Sequence, residues 1–212
     1  PLIHDDRVIG AISVSRFDLA RPFTALEIET MEIIASQVAT TLVNAALHDQ
    51  VAEAAIRDPL TGLWNRRQLD VGLARLFATR DRMDPEARRP VSAILFDLDR
   101  FGDFNKRHGH GTGDTVLRAF GRILDRRLRS SDLVARFGGE EFVAVLDGAT
   151  IDEAARVADE IRREFEGVAF RGIDGTDLRA TVSAGCSALG PGIASFSALL
   201  ELADVGLQMA KR

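Results

Sequence analysis

Residues 91–98, Val-Ser-Ala-Ile-Leu-Phe-Asp-Leu, form a short apolar run that ends in acid, with Asp97 inside it and Asp99 just beyond. A run of this length and apolarity reads as a buried strand. The rest of the chain alternates strand and helix patterns around it. Strands are expected at Val8–Val14, Asp132–Phe137 and Phe142–Leu146, with a further pair near Val168–Phe170 and Arg179–Ser187. Helices are expected at about Ala25–Ile56, Asn65–Thr79, Phe101–Arg107, Asp114–Arg129, Ile151–Glu166 and Phe196–Lys211. Ala20–Thr24, Arg80–Pro90 and His108–Gly113 read as loops or turns. A four-residue connection, Gly-Gly-Glu-Glu (138–141), joins two of the strands into a hairpin. The expected class is α+β, a sandwich with a mixed sheet.

The longest helix begins at a capping box, Thr24 with Glu27 three residues on. Ile28, Met31, Ala35, Val38, Leu42 and Ala45 follow a three-four spacing that suits a partner helix or the helix's own domain. Asp58-Pro59 interrupts the pattern, since the residue before proline disfavours helix. These signals divide the chain into an N-terminal piece (1–24), a connecting helix (25–57) and a main domain (58–212).

Composition excludes several functions. A net charge of −5 over 212 residues argues against duplex DNA or an anionic membrane as the main partner. No apolar run reaches bilayer-spanning length and no signal peptide is recognisable, so a cytoplasmic setting is expected. The single cysteine, Cys186, excludes an internal disulfide and reads as a buried structural thiol. Anionic phosphates, if handled at all, must be met locally by a metal, helix N-termini or a few placed cations.

The acids point to such a place. Asp97 and Asp99 end one strand, while Glu140 and Glu141 occupy the hairpin tip. If those strands are neighbours, the carboxylates converge and repel unless a cation relieves them. Mg²⁺ fits, because it accepts a few carboxylates and takes its other ligands from water and phosphates. Two such ions, roughly 3.5–4 Å apart, can support nucleotidyl transfer. Gly-Gly-Glu-Glu by itself reads as a solvated turn; Asp97 and Asp99 turn it into a metal-site candidate. The glycines allow positive φ and close approach of a substrate to the backbone.

Five segments in order resemble the GGDEF domain family of diguanylate cyclases. They are DPLTGLWNRR (58–67), FDLDRFGDFNKRHGHGTGD (96–114), RSSDLVARFGGEEF (129–142), TVSAGCS (181–187) and LLELADVGLQMAK (199–211). The resemblance implies a nucleotidyl-cyclase-like (palm or ferredoxin-like) sandwich with a central mixed sheet flanked by helices, preceded by a long N-terminal helix. It implies condensation of two GTP into cyclic di-GMP with release of pyrophosphate. Asp97, the carbonyl of Leu98 and Glu140 would hold Mg²⁺ or Mn²⁺, with Glu140 also the base and Glu141 a further carboxylate. Asn105 and Asp114 would read guanine, His110 would contact the nucleotide, the backbone of Phe101 and Gly102 would cradle phosphates, and Lys211 would reach the triphosphate. One site holds one GTP, so a homodimer aligned by the N-terminal helix is implied. Residues before that helix resemble the end of a GAF sensor domain.

The resemblance also implies a product-binding inhibitory site at Arg129 and Asp132, with Arg156 as helper; Glu160 stands where relatives often supply another arginine. Three departures are visible. Gly102 replaces the usual lysine, Gln208 replaces the usual tyrosine, and no Gly-Arg-Asn follows Lys211 before Arg212. They leave an alternative, a weak or inactive GGDEF module that binds GTP or cyclic di-GMP as a signalling receptor.

Overall fold

The computed structural model describes residues 1–15, 22–172, 175–190 and 195–211, with the side chains of 48–54 also left out of the description. The start of the expected Ala20–Thr24 loop lies outside the described residues. The chain forms two compact units, Pro1–Ala54 and Ala55–Arg212.

In the first unit a small antiparallel hairpin pairs β1 (Leu2–His4) with β2 (Arg7–Gly10), so the strand expected at Val8–Val14 is shorter and has an upstream partner. The turn between them places Asp5 and Asp6 at positive φ, a conformation aspartate tolerates. Helix α1 (Ala25–Ile56) starts at the expected capping box: Glu27 Oε2 accepts from Thr24 N at 2.8 Å, and Glu27 N donates to Thr24 Oγ1 at 3.3 Å. Leu26, Ile28, Ile33, Ile34, Leu42 and Leu47 of this helix are exposed.

In the second unit β3 (Trp64–Asn65) leads into α2 (Arg66–Asp81), which Asn65 caps by accepting from Gln68 N. Next come β4 (Val91–Leu98), α3 (Phe101–His108) and α4 (His110–Arg127). The hairpin strands β5 (Leu133–Arg136) and β6 (Glu141–Asp147) are followed by α5 (Ile151–Glu166), capped by Thr150 with Glu153. A two-strand tab of β7 (Phe170–Arg171) and β8 (Asp177–Leu178) precedes β9 (Val182–Ala188) and α6 (Phe196–Ala210). The five-stranded sheet runs β3-β5-β6-β4-β9, with β3–β5 parallel and the other pairs antiparallel, so it is mixed.

β4 lies inside the sheet between β6 and β9, and its alternate residues serve two cores. Ile94, Phe96 and Leu98 face α4 and α5, while Val91, Ala93 and Leu95 pack with residues of α2 and α6. On the first face Phe120 meets Phe96, Phe142 and Phe165 edge-on, with centroids 5.5, 4.9 and 4.9 Å away. Helices on both sides explain why this strand is apolar along nearly its whole length.

Three expectations need correction. The 168–187 region is not one strand pair, because β9 joins the main sheet beside β4 and the partner of β7 is β8. α4 begins at His110 rather than Asp114, since Gly109 at φ 81° makes the turn in one residue and Gly111 and Gly113 stay helical. The hairpin connection is Phe137–Glu140, one residue earlier than read from Gly-Gly-Glu-Glu.

Candidate active site

The register of β4 on β6 pairs Phe96 with Phe142 and Asp97 with Glu141. Glu141 is therefore the first residue of a strand rather than part of the tip. Directly paired residues share a face, and like charges there repel. Glu140 stands one residue further out, its carbonyl accepting from Leu98 N at 3.2 Å. The side chain of Leu98 is buried in the core, so only its backbone can face the site.

Asp97 is 8% exposed, and its Oδ1 receives no aligned hydrogen bond. What lies closest is the Lys211 ammonium at 2.5 Å, an ion pair by distance without hydrogen-bond geometry. Burial first, then the charge of Asp97, raises the Glu140 carboxyl above its ordinary pKa; Lys211 opposes this and Glu141 adds to it. Asp97, Glu140, Glu141 and Lys211 thus form one electrostatic cluster. Asp99 is separate in role: Thr181 Oγ1 and Ser183 Oγ donate to its two oxygens at 2.6 and 2.7 Å, tying β4 to β9.

Among the described residues, no three His, Cys, Asp or Glu side chains stand close enough to hold a metal on their own. A buried carboxylate oxygen without a hydrogen bond, beside further carboxylates, still fits Mg²⁺, which needs few protein ligands.

Glycines shape the rim by giving room. Neither Gly138 nor Gly139 has positive φ, contrary to expectation; a Cβ on Gly138 would lie 2.4 Å from Glu141 Oε2. Gly113 is tighter, since a Cβ there would lie 1.9 Å from Asn105 Oδ1 and 3.2 Å from Phe101 Cζ. Asn105 Oδ1 is buried without a hydrogen bond and lies against this glycine. Phe101 is buried and opens α3, preceded by Arg100 at φ 52°. Gly102 is exposed, His110 is exposed on the first turn of α4, and Asp114 is half-buried one turn on.

The sequence reading missed the brace behind the hairpin. Arg136 Nη1 donates to both oxygens of Asp58 at 3.2 and 3.1 Å, and its Nη2 donates to Gly139 O at 2.6 Å. Asp58 also accepts from Thr61 N and Oγ1 at 2.8 and 2.7 Å. Arg66 adds a second hold, 4.3 Å over the ring of Phe137. An arginine two residues before Gly138 was the available signal.

The expected regulatory residues sit together elsewhere. Arg129, Asp132 and Arg156 line one cleft of about 300 Å³ with Arg127, Glu153 and Glu160. Asp132 Oδ2 accepts from Arg129 N at 2.8 Å, and burial raises its carboxyl pKa despite that bond and the Arg129 charge. Glu160 pairs at 3.9 Å with Arg127.

This sheet, its acid-ended interior strand and the braced Gly-Gly-Glu-Glu hairpin together define the class of domain. The chain belongs to the GGDEF family of diguanylate cyclases: the profile described as "Diguanylate cyclase, GGDEF domain" matches residues 55–212. A GAF domain profile matches residues 1–42. The response regulator PleD of Caulobacter vibrioides is 39% identical over 77% of this chain. The diguanylate cyclase DosC of Escherichia coli is 35% identical over 84%. The chain spans only 35% and 37% of their lengths. Among solved structures, the coiled coil and GGDEF domain of DgcB from Caulobacter crescentus in complex with c-di-GMP superposes with TM-score 0.71 at 29% identity. That match covers 89% of this chain and 95% of that one. No helix among the described residues is long and apolar enough to cross a membrane.

Proposed function

We propose that this chain is a diguanylate cyclase that joins two GTP into cyclic di-GMP and releases two pyrophosphate, working as a homodimer with Mg²⁺ or Mn²⁺. The observation that carries this reading is Asp97. Its buried oxygen faces the Lys211 ammonium without hydrogen-bond alignment, and its strand register sets it against Glu141. Bound there, the metal would neutralise phosphate charge and support the attacking and leaving oxygens. Asp97, the Leu98 carbonyl and Glu140 would hold it.

The chain's own groups do the rest. Glu140, whose carboxyl pKa is raised by burial and by the charge of Asp97, takes the ribose 3′-hydroxyl proton as that oxygen attacks the α-phosphorus of the other GTP. The N–H groups of Phe101 and Gly102, at the start of α3, meet phosphate oxygens. Asn105, its oxygen turned inward, presents its amide nitrogen to the guanine; Asp114 accepts from the base's donors, and His110 contacts the nucleotide. Each site binds one GTP, so two domains must face each other. The exposed apolar residues of α1 support pairing through that helix.

The cleft at Arg129, Asp132 and Arg156 would take the product, with arginine on guanine O6 and N7. A complex with c-di-GMP is what the DgcB structure describes for that protein, and it supports a nucleotide of this kind here. One observation favours a second reading, a weak or inactive receptor for GTP or cyclic di-GMP. Position 102 lacks a cation, although nothing lies within 4 Å of where a side chain would begin.

Incubation of the dimer with GTP and Mg²⁺, followed by chromatography, tests the choice. Cyclic di-GMP and pyrophosphate are expected; nucleotide binding without product selects the receptor. Arg129→Ala is expected to relieve product inhibition and to leave the initial rate unchanged.

A further inference from the structure

We propose that Lys211 is the counter-ion of Asp97 in the metal-free protein and that metal entry displaces its ammonium, handing it to the substrate triphosphate. This rests on the metal-site reading of Asp97 above. Metal loading and phosphate binding then become coupled through one side chain.

Asp97 Oδ1 is buried and has no aligned donor, a costly state for a carboxylate oxygen unless a cation stands by. Lys211 Nζ is 2.5 Å away. Mg²⁺ binds a carboxylate oxygen at about 2.0–2.1 Å. Two cations on one oxygen at such distances repel each other strongly, so metal and ammonium compete for it. Lysine is suited to leaving: it carries a point charge on a flexible stem, and its side chain is already 32% exposed. Glu140 feels both Asp97 and Lys211, which places the ammonium inside the acidic cluster rather than beside it.

The fold aims this side chain. A Cβ on Gly185 would lie 2.0 Å from Ala203 O and 2.3 Å from Leu207 N, so β9 and α6 touch backbone to backbone. Gly206 sits on Gly185 Cα from the other side. This close packing brings the end of α6 to the end of β4, where Lys211 N donates to Leu207 O at 3.1 Å. The other lysine, Lys106, is exposed and pairs with Asp103 at 3.3 Å.

The test is Mn²⁺ titration of nucleotide-free protein, with free Mn²⁺ read by electron paramagnetic resonance. Lys211→Met is expected to bind Mn²⁺ about tenfold more tightly than wild type, as loss of a neighbouring positive charge dictates. Lys211→Arg should bind no better than wild type, and Asp97→Asn should lose the site. Equal or weaker binding by Lys211→Met, with Asp97→Asn inactive in binding, overturns the exchange and spares the metal site. Unchanged binding by Asp97→Asn overturns both. A second readout uses ¹³C-methylated lysines: Mg²⁺ should shift the Lys211 signal and leave that of Lys106 in place. A Lys211 signal that stays still at Mg²⁺ saturation rejects the proposal.

Discussion

Glu140 is held above its ordinary pKa by burial and by Asp97, so the folded chain keeps this proton longer than the unfolded one. Its contribution to stability is complete below the unfolded value, 4.5, and is lost as pH rises through the folded value. Without divalent ions, Glu140→Gln should therefore gain melting temperature relative to wild type as pH rises from 4.5 through the folded value. A gap that stays constant across that range would contradict the assignment. With GTP and metal, the same variant should lose about 10²–10⁴ in rate, the usual worth of a positioned general base. Gly102→Lys tests the opposite change. The position is open, so the fold should be untouched, and the rate should rise at least about tenfold if a missing phosphate cation limits turnover. An unchanged rate would mean that Arg100 or Lys106 already supplies that charge.

The hairpin and its brace act as elements. The Arg136–Asp58 pair is largely buried, with side chains 16% and 17% exposed, and the same guanidinium holds Gly139 O. Arg136→Ala should cost about 1–3 kcal/mol, less than a fully buried pair because Thr61 still donates to Asp58. Its effect on rate should exceed that of an equally destabilising core variant, because the carbonyl beside Glu140 loses its donors. Denaturant melts and single-turnover rates on both variants decide this. Gly185→Ala strikes backbone rather than a flexible tip, so about 1–3 kcal/mol of overpacking is expected. Element types were legible because periodicity is local; α5 was read residue for residue. The errors fell where the fold chose between local options. Gly109 ended one helix and began another in a single turn, and β9 left the expected pair for an edge beside β4.

At the scale of the molecule, the reading of two facing GTP sites predicts that specific activity rises with protein concentration through the dimer dissociation constant. Leu42→Glu on α1 should shift that rise to higher concentration, since it places charge on an exposed apolar residue of the helix. Sedimentation and initial rates over the same concentrations check both, and a flat activity profile would reject a dimeric enzyme. The sequence by itself determined the family and the acid-ended strand and named the candidate site residues, because motif order and hydrophobic period survive without coordinates. Only the tertiary structure decided that Asp97 pairs with Glu141, that Asp99 is tied to hydroxyls and that Arg136 reaches back to Asp58. It also decided that Lys211 closes on Asp97. Each of these joins residues far apart in the chain, and strand register and helix packing, not local propensity, set such distances.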